Sequence, residues 1–308
     1  MSAQSSGQTA LTSARAIAWA RRRAALAGFW REYRTQRTGL VGLAFLLMVI
    51  ALALATPWVT DAGGLDPTKV HGGRLDAPSL AYPLGTDELG RSVLLLTLWG
   101  ARVSLLVGVT ATLLAIVIGS LVGILAGHFG GWTSWVLMRL ADWFIVVPTL
   151  VLAMVLLLVL GSNLFTIIVV IGVASWAGTA RLIRAQTLAV EGRPYLERAR
   201  ALGAGHWHQM SRHVLPNVMP LVLASTTLQV ASAILLESTL SFLGLGDPNQ
   251  ISWGTMLHRA YEAGAVSYGA WWYLLPPGLG ILVVVLCFTL CGRAMESVVN
   301  PRLRGGGR

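Results

Sequence analysis

Charged residues are scarce in this chain. Of its 308 residues only 12% are Asp, Glu, Lys or Arg, whereas 55% are hydrophobic. An ordinary soluble domain contains about one quarter charged residues, so this composition excludes a typical water-soluble globular protein. Several apolar runs of about 20 residues are long enough for a helix to cross a bilayer core of roughly 30 Å. We therefore predict an all-α membrane protein.

Lysine is almost missing, and this absence bears on nucleotide binding. A phosphate-binding loop needs a lysine directly after a glycine-rich turn. The one lysine, Lys69, stands in Asp-Pro-Thr-Lys-Val without such a turn, so this chain is not predicted to hydrolyse a nucleotide itself. The sequence also lacks the Gly-x-Ser-x-Gly and His-Glu-x-x-His patterns of serine hydrolases and zinc proteases. We predict no catalytic residues and no bound cofactor.

Cysteine is too rare for a disulfide framework. Cys287 and Cys291 lie four residues apart on one face of a predicted helix, which favours packing over the alternative, a metal or redox role. The histidines His206, His208 and His213 have no carboxylate or thiol at ligand spacing, so we interpret them as surface or docking residues. No metal site is predicted.

The apolar runs divide the chain into segments. We predict an N-terminal arm (1–38), a first transmembrane helix (39–60), an extracytoplasmic loop (61–100), a five-helix core (101–296) and a tail (297–308). Within the core the predicted crossings are 101–127, 138–160, 164–180, 218–236 and 276–295, and a polar loop, 181–216, joins the fourth and fifth of the six. A cleaved secretory signal ending near Ala53 is the alternative for the first crossing, but the arm and the apolar run are too long for one.

The basic residues predict the orientation, because loops rich in arginine stay in the cytoplasm. If the amino terminus is inside, the cytoplasmic segments contain most of the arginines, including seven in the arm, which would lie against anionic lipid. The outer loops then contain only Lys69, Arg74, Arg91 and Arg259. Both termini are predicted to be cytoplasmic in a prokaryotic inner membrane.

Small residues in the second crossing predict close helix packing. Gly119, Gly123 and Gly127 recur at four-residue spacing, which lets a neighbouring helix approach closely inside a bilayer. We expect the neighbour to belong to the same chain, and a partner subunit is the alternative.

The third crossing contains a proline and an acid. Pro148 is predicted to kink the helix. Asp142 is a functional candidate by its depth, although a pair with Arg139 near the membrane surface is the favoured interpretation. Glu237 is placed at the outer boundary of the fifth crossing.

The loop 181–216 contains two predicted short helices. Pro194 suits a first helical turn, Gly203 and Gly205 break the helix, and Trp207 begins a second apolar ridge that ends at Leu215-Pro216. Such an element presents an apolar face without crossing the membrane. From the residues alone, binding to the lipid surface and docking into a soluble partner remain equally open.

The loop resembles a known motif. The spacing Glu197-x-Ala199-x-x-x-Gly203, followed after eleven residues by Leu215-Pro216, is similar to the EAA motif of membrane subunits of bacterial ABC importers. Arg198 and His213 depart from that pattern. The resemblance implies that the loop docks into a cytoplasmic ATPase and couples its closure to the crossings. The docking residues that it implies are Tyr195, Glu197, Ala199, Leu202, Gly203, Ala204, Trp207, Arg212, Leu215 and Pro216.

Further strings resemble the dipeptide, oligopeptide and nickel permeases, and their C-type subunit in particular. They are Pro83-Leu-Gly85-Thr-Asp87-Glu-Leu-Gly90-Arg91, Gly100-Ala-Arg102-Val-Ser104-Leu, Ala199-Arg-Ala-Leu-Gly203-Ala, Arg212-His-Val-Leu-Pro-Asn217, Leu240-Ser-Phe-Leu-Gly244-Leu-Gly246, Ser252-Trp-Gly254 and Asn300-Pro-Arg-Leu-Arg304. The resemblance implies the type I importer permease fold and peptide import. The partners that it implies are a homologous second permease, two ATPases that bind ATP and Mg²⁺, and an extracytoplasmic solute-binding protein.

Three alternatives differ in solute or in mechanism. The same family also imports nickel and other small solutes. A secondary transporter driven by protons or sodium would need buried acids or broken helices near the membrane centre. An intramembrane hydrolase would need a nucleophile and a base, and the sequence contains no such arrangement.

Overall fold

A computed structural model describes residues 14–299. Helix α1 (Ala14–Tyr33) precedes α2 (Arg37–Val59), and residues 60–92 lead to α3 (Val93–Phe129). The other helices are α4 (Gly131–Val146), α5 (Thr149–Leu160), α6 (Leu164–Glu191), α7 (Pro194–Ala201), α8 (His206–Gln209), α9 (Leu215–Leu240), α10 (Trp253–Glu262) and α11 (Trp271–Val299). Residues 1–13 of the predicted arm, and the tail from residue 300 with its motif Asn300–Arg304, lie outside the described residues.

The described helices agree with the predicted all-α fold of six crossings. Five are long and apolar enough to cross a membrane, and the pair α4 and α5 makes a sixth crossing if it counts as one. Because successive crossings alternate in direction, the loops gather at two ends of the bundle. The end with residues 60–92 and 246–270 is called the capped end, and the end with residues 192–205 is called the loop end.

Several helices extend beyond the predicted crossings, and α4, for example, starts at Gly131 rather than at residue 138. Helix α3 starts at Val93, where Ser92 caps it, rather than at the predicted residue 101. Helix α6 continues to Glu191, so the first part of the predicted polar loop is helical. The added turns of α3, residues 93–100, are mainly apolar, whereas α6 is extended by residues 181–191, in which Arg, Gln and Glu alternate with good apolar helix formers.

Pro148 bends the third crossing, as predicted, but it does so by breaking the helix rather than only kinking it. Val147 is extended, and α4 and α5 meet at 90°. The proline ring disfavours helical geometry at the preceding residue and removes a backbone donor, which explains the break. Nearby, Asp142 pairs with Arg181 at 2.5 Å and lies 3.7 Å from the predicted partner Arg139.

The glycine stripe of α3 packs against α6 of the same chain, as predicted. A Cβ atom added to Gly123 would lie 2.6 Å from the carbonyl oxygen of Ala180. One added to Gly127 would lie 2.6 Å from Cβ of Thr187. The two backbones therefore approach too closely for any side chain at these positions. The cysteines Cys287 and Cys291 likewise serve as buried packing groups of the core.

The capped end contains a buried ion pair. The Arg91 guanidinium lies 2.7 Å from Asp87 Oδ2, and the side chains are 5% and 0% exposed, respectively. Asp87 Oδ1 also accepts hydrogen bonds from the backbone N–H groups of Leu89 and Arg91. These bonds fold residues 87–91 into a tight turn that leads into α3.

Glu237 lies near the capped end, where it is buried inside the bundle, and this burial was not predicted. Its carboxylate accepts hydrogen bonds from the hydroxyls of Ser104, Ser238 and Ser241. Ser104 Oγ also accepts from the backbone N–H of Trp253, the first residue of α10. This group of serines around one carboxylate, called the Glu237 seat, joins α3, α9 and α10.

Candidate functional site

Helix α7 forms the first part of the predicted docking element. Arg193 is extended, and Pro194 occupies the first helical turn, where a missing N–H costs nothing. Glu197 lies in the first turn and Arg200 in the last, so both complement the helix dipole. Leu196 is fully buried and anchors α7 against the bundle. The opposite face of α7 is left exposed.

Gly203 ends α7 in the way that the sequence predicts. Its φ of +84° is left-handed, a conformation that side chains with a Cβ rarely adopt. The Gly203 N–H donates to the Arg200 carbonyl at 2.9 Å, and the Ala204 N–H donates to the Ala199 carbonyl at 3.0 Å. These two bonds form a Schellman motif. No atom lies within 4 Å of a Cβ added here, so the requirement for glycine comes from the backbone alone.

The second short helix does not end at Leu215-Pro216, and that part of the prediction was wrong. Helix α8 continues through a π turn, Met210–Val214, directly into α9, so the helix runs without a break from His206 to Leu240. A proline ring clashes with the carbonyl four residues earlier, which here belongs to Arg212. The π turn contains Arg212 and bonds the Leu215 N–H to the Met210 carbonyl, so the wider backbone accommodates Pro216.

Three large apolar side chains of the site face outwards at the loop end. Leu202 is 88% exposed, Trp207 is 79% exposed, and Tyr195 is also exposed. An exposed apolar surface beside arginines is typical of a protein docking site. The structure places the other predicted residues around it: Glu197 and Arg212 are exposed, Ala199 and Ala204 are half-buried, and Leu215 and Pro216 lie about two turns farther along the helix.

A cluster that the sequence did not predict holds this element to the bundle. His128, at the end of α3, lies 2.5 Å from Oε1 of Glu191, the last residue of α6. Arg200 of α7 pairs with the other oxygen of Glu191. The second ring nitrogen of His128 lies 2.9 Å from Nδ1 of His206 in α8. We call these four residues the clasp, because they connect α7 and α8 to the ends of α3 and α6.

The clasp continues into the turn between α7 and α8. The buried amide of Gln209 accepts from Arg200 Nε at 3.1 Å and donates to the Ala204 carbonyl at 2.6 Å. The two short helices are therefore fixed relative to each other. The rings of His208 and His213 meet edge-on, with their centroids 5.8 Å apart. Within residues 14–299 no three His, Cys, Asp or Glu side chains are arranged to hold a metal ion.

The sequence matches a known protein family over most of this region. Residues 119–305 match the family described as binding-protein-dependent transport system inner membrane component. That range includes the crossings from the end of α3 onwards, the clasp and the whole docking element.

Curated relatives match along nearly the whole chain. A putative peptide transport system permease protein of Brucella suis is 34% identical over 278 residues, covering 90% of this chain and 92% of the relative. The di/tripeptide transport system permease protein of Pseudomonas aeruginosa is 36% identical, with the same coverage. The oligopeptide transport system permease protein of Bacillus subtilis is 33% identical, covering 89% of this chain and 90% of the relative.

Proposed function

The chain belongs to the family of binding-protein-dependent transport system inner membrane components, and from this membership we propose that it carries peptides across the membrane. It is a permease subunit of an ATP-binding cassette importer in the bacterial inner membrane. ATP hydrolysis takes place in separate ATPase subunits, and a solute-binding protein delivers the solute.

Peptides are the proposed solutes because the similar permeases are named for them. Relatives of three genera are described as peptide, di/tripeptide and oligopeptide permeases. Nickel or another small solute is the outcome that would contradict this choice. The proposed transporter contains this chain, a homologous second permease and two ATPases, which bind ATP and Mg²⁺. This chain is proposed to bind no cofactor.

The loop end is proposed to face the cytoplasm and to dock into an ATPase. The observation that supports this most is the exposure of Leu202 and Trp207 on a turn whose backbone is held by the Schellman motif and the clasp. A surface of this kind gains from burial against a partner and needs little ordering when it binds. Arg198 and Arg212 flank it, and Glu197 offers a carboxylate to a basic group of the ATPase.

The test is a substitution of Gly203 in the complete transporter, reconstituted in proteoliposomes with its ATPases and binding protein. Valine at a left-handed position is strained by about 1–2 kcal/mol, which we expect to disorder the end of α7. Gly203→Val should reduce ATP-driven peptide uptake at least tenfold and weaken ATPase binding, while membrane insertion is unchanged. Gly203→Asn should retain most uptake, because asparagine tolerates this conformation.

Gly205→Ala provides the matched control. Gly205 lies two residues away, its φ is −68°, and an added Cβ has open space, so alanine should transport like the parent chain. Unchanged uptake in Gly203→Val would overturn the docking assignment. Uptake of Ni²⁺ but not of labelled di- or oligopeptides by the parent chain would overturn the choice of solute. Uptake driven by a proton gradient without ATP would overturn the coupling to an ATPase.

A further inference from the structure

Helix α9 has a polar stripe along one face. Ser225, Gln229, Ser232 and Thr239 recur at intervals that place them on the same side of a helix. Ser232 and Thr239 are exposed on the bundle surface, although α9 lies within a helix long and apolar enough to cross the membrane. Polar side chains at such positions call for an explanation, because hydrocarbon offers them no partner.

The exposed face of α3 is apolar at the depth where α9 carries its polar stripe. A Cβ added to Gly108 of α3 would touch Ile234 of α9, so the two helices are level there. The most exposed side chains along the following turns of α3 are all aliphatic, as expected for a surface in contact with lipid. They are Val109, Leu113, Val117 and Leu121. The stripe of α9 therefore faces a different environment from the exposed face of α3.

The stripe borders a groove of about 520 Å³. The 90° break at Pro148 turns α4 and α5 apart, and the groove lies between that break, α6 and α9. Gln229, Ser232 and Thr239 supply polar atoms from α9, Thr149 supplies one from α5, and Ser175 supplies one from α6. Among the described residues that line it, none carries a charge.

The polar atoms that α9 contributes to the groove serve mainly as hydrogen-bond acceptors. The Ser232 hydroxyl donates its proton to the Leu228 carbonyl at 3.2 Å, and the Thr239 hydroxyl donates to the Leu235 carbonyl at 2.7 Å. Their oxygens keep lone pairs that point away from the helix. Gln229 donates through Nε2 to the Ser175 carbonyl at 3.0 Å, which leaves Oε1 as an acceptor. An uncharged wall of acceptors suits neutral N–H donors.

We propose that this groove is a wall of the translocation path, where Gln229, Ser232 and Thr239 accept hydrogen bonds from backbone N–H groups of a passing peptide. The identity of the solute rests on the proposed function, whereas the position of the path rests on the groove. A wall without charge contacts the repeating backbone and is indifferent to the charge of the side chains. It therefore allows peptides of different sequence to pass.

The test is the accessibility of single cysteines to a membrane-impermeant, quaternary-ammonium methanethiosulfonate reagent. Ser232→Cys and Thr239→Cys are assayed in the complete transporter in proteoliposomes, with and without ATP. Leu113→Cys, on the aliphatic face of α3, is the control for a lipid-facing position. The parent chain serves as the blank, because Cys287 and Cys291 are buried.

We expect Ser232→Cys to react at least tenfold faster than Leu113→Cys in one of the two nucleotide conditions, and excess dipeptide with the binding protein to slow that reaction. Reaction as slow as that of Leu113→Cys in both conditions would overturn the proposal and assign the groove to lipid or to the second permease. Fast labelling that dipeptide does not slow would overturn the peptide contact. If the parent chain transports no peptide although Ser232→Cys is labelled, the proposed solute is wrong. The groove would still be part of the translocation path.

Discussion

The two ends of the bundle differ in where they place their charged side chains. At the capped end, Asp87 and Arg91 are buried and bonded to each other, and the Glu237 seat joins three helices. At the loop end, Leu202 and Trp207 project from the surface. A buried charge is tolerated only where its partners are already present, whereas an exposed apolar side chain gains from a partner still to come. Exposed apolar residues such as Trp58 occur at the capped end as well, so the buried charge pair is what distinguishes that end, and ATPase docking at the loop end stays a proposal.

Breaking the buried ion pair tests the capped end and should have the largest effect on stability. Asp87→Asn removes the nearer carboxylate from the buried Arg91 charge and leaves only Glu88, at 3.8 Å, so we expect a loss of about 3 kcal/mol in unfolding free energy. Thermal unfolding of the detergent-purified subunit, followed by size-exclusion chromatography, measures the change. Asp66→Asn is the control, because the Asp66–Lys69 pair is exposed and contributes about 0–1 kcal/mol. If both variants unfold together with the parent, the capped end is not held as described.

Loosening the clasp should have a medium effect on stability, and it tests whether the loop end is coupled to the crossings. Glu191→Gln removes the charge between His128 and Arg200 but keeps the shape of the side chain, so we expect a loss of about 1 kcal/mol. Because the clasp joins α7 to α3 and α6, ATP hydrolysis should continue while peptide uptake per ATP falls several-fold. Parallel assays of phosphate release and uptake measure this ratio. An unchanged ratio would show that the clasp transmits no motion.

Removing an exposed tryptophan tests the loop end and should have the smallest effect on stability. Trp207→Ala deletes a side chain that makes few contacts within the chain, so the unfolding free energy should change by less than about 0.5 kcal/mol. Binding of the ATPase, measured by co-purification over a concentration series, should weaken at least tenfold. Trp58→Ala is the matched control, because Trp58 is equally exposed at the capped end. Equal ATPase binding by the two variants would remove the distinction between the ends.

Local patterns in the sequence predicted much of the fold. Apolar runs located the crossings, and the four-residue spacing of Gly119, Gly123 and Gly127 predicted the close packing of α3 and α6 within one chain. Gly203 was expected to end a helix, and its left-handed conformation is the physical reason. Each of these features depends on neighbours within one or two helical turns, which a sequence displays directly.

The features that were missed depend on contacts between distant segments. His128 and Glu191 are 63 residues apart, and no local spacing connects them. The burial of Asp87 with Arg91 follows from the packing of residues 60–92 against the bundle, which composition does not reveal. The rule that a proline ends or interrupts a helix failed at Pro216. The π turn in the preceding residues widens the backbone, so the helix continues past the proline. Whether the ten predicted docking residues bind an ATPase stays a prediction.

The helix that runs without a break from His206 to Leu240 sets an angular relation between Trp207 and the Glu237 seat. Each residue of an α-helix advances the direction of its side chain by about 100°, since a turn contains 3.6 residues. Inserting or deleting one residue between these points would swing the tryptophan round to another side of the molecule. Exchange of one apolar residue for another along this stretch is tolerable, but its length in residues must stay constant. The number of residues in this helix therefore fixes the direction in which Trp207 points relative to the Glu237 seat.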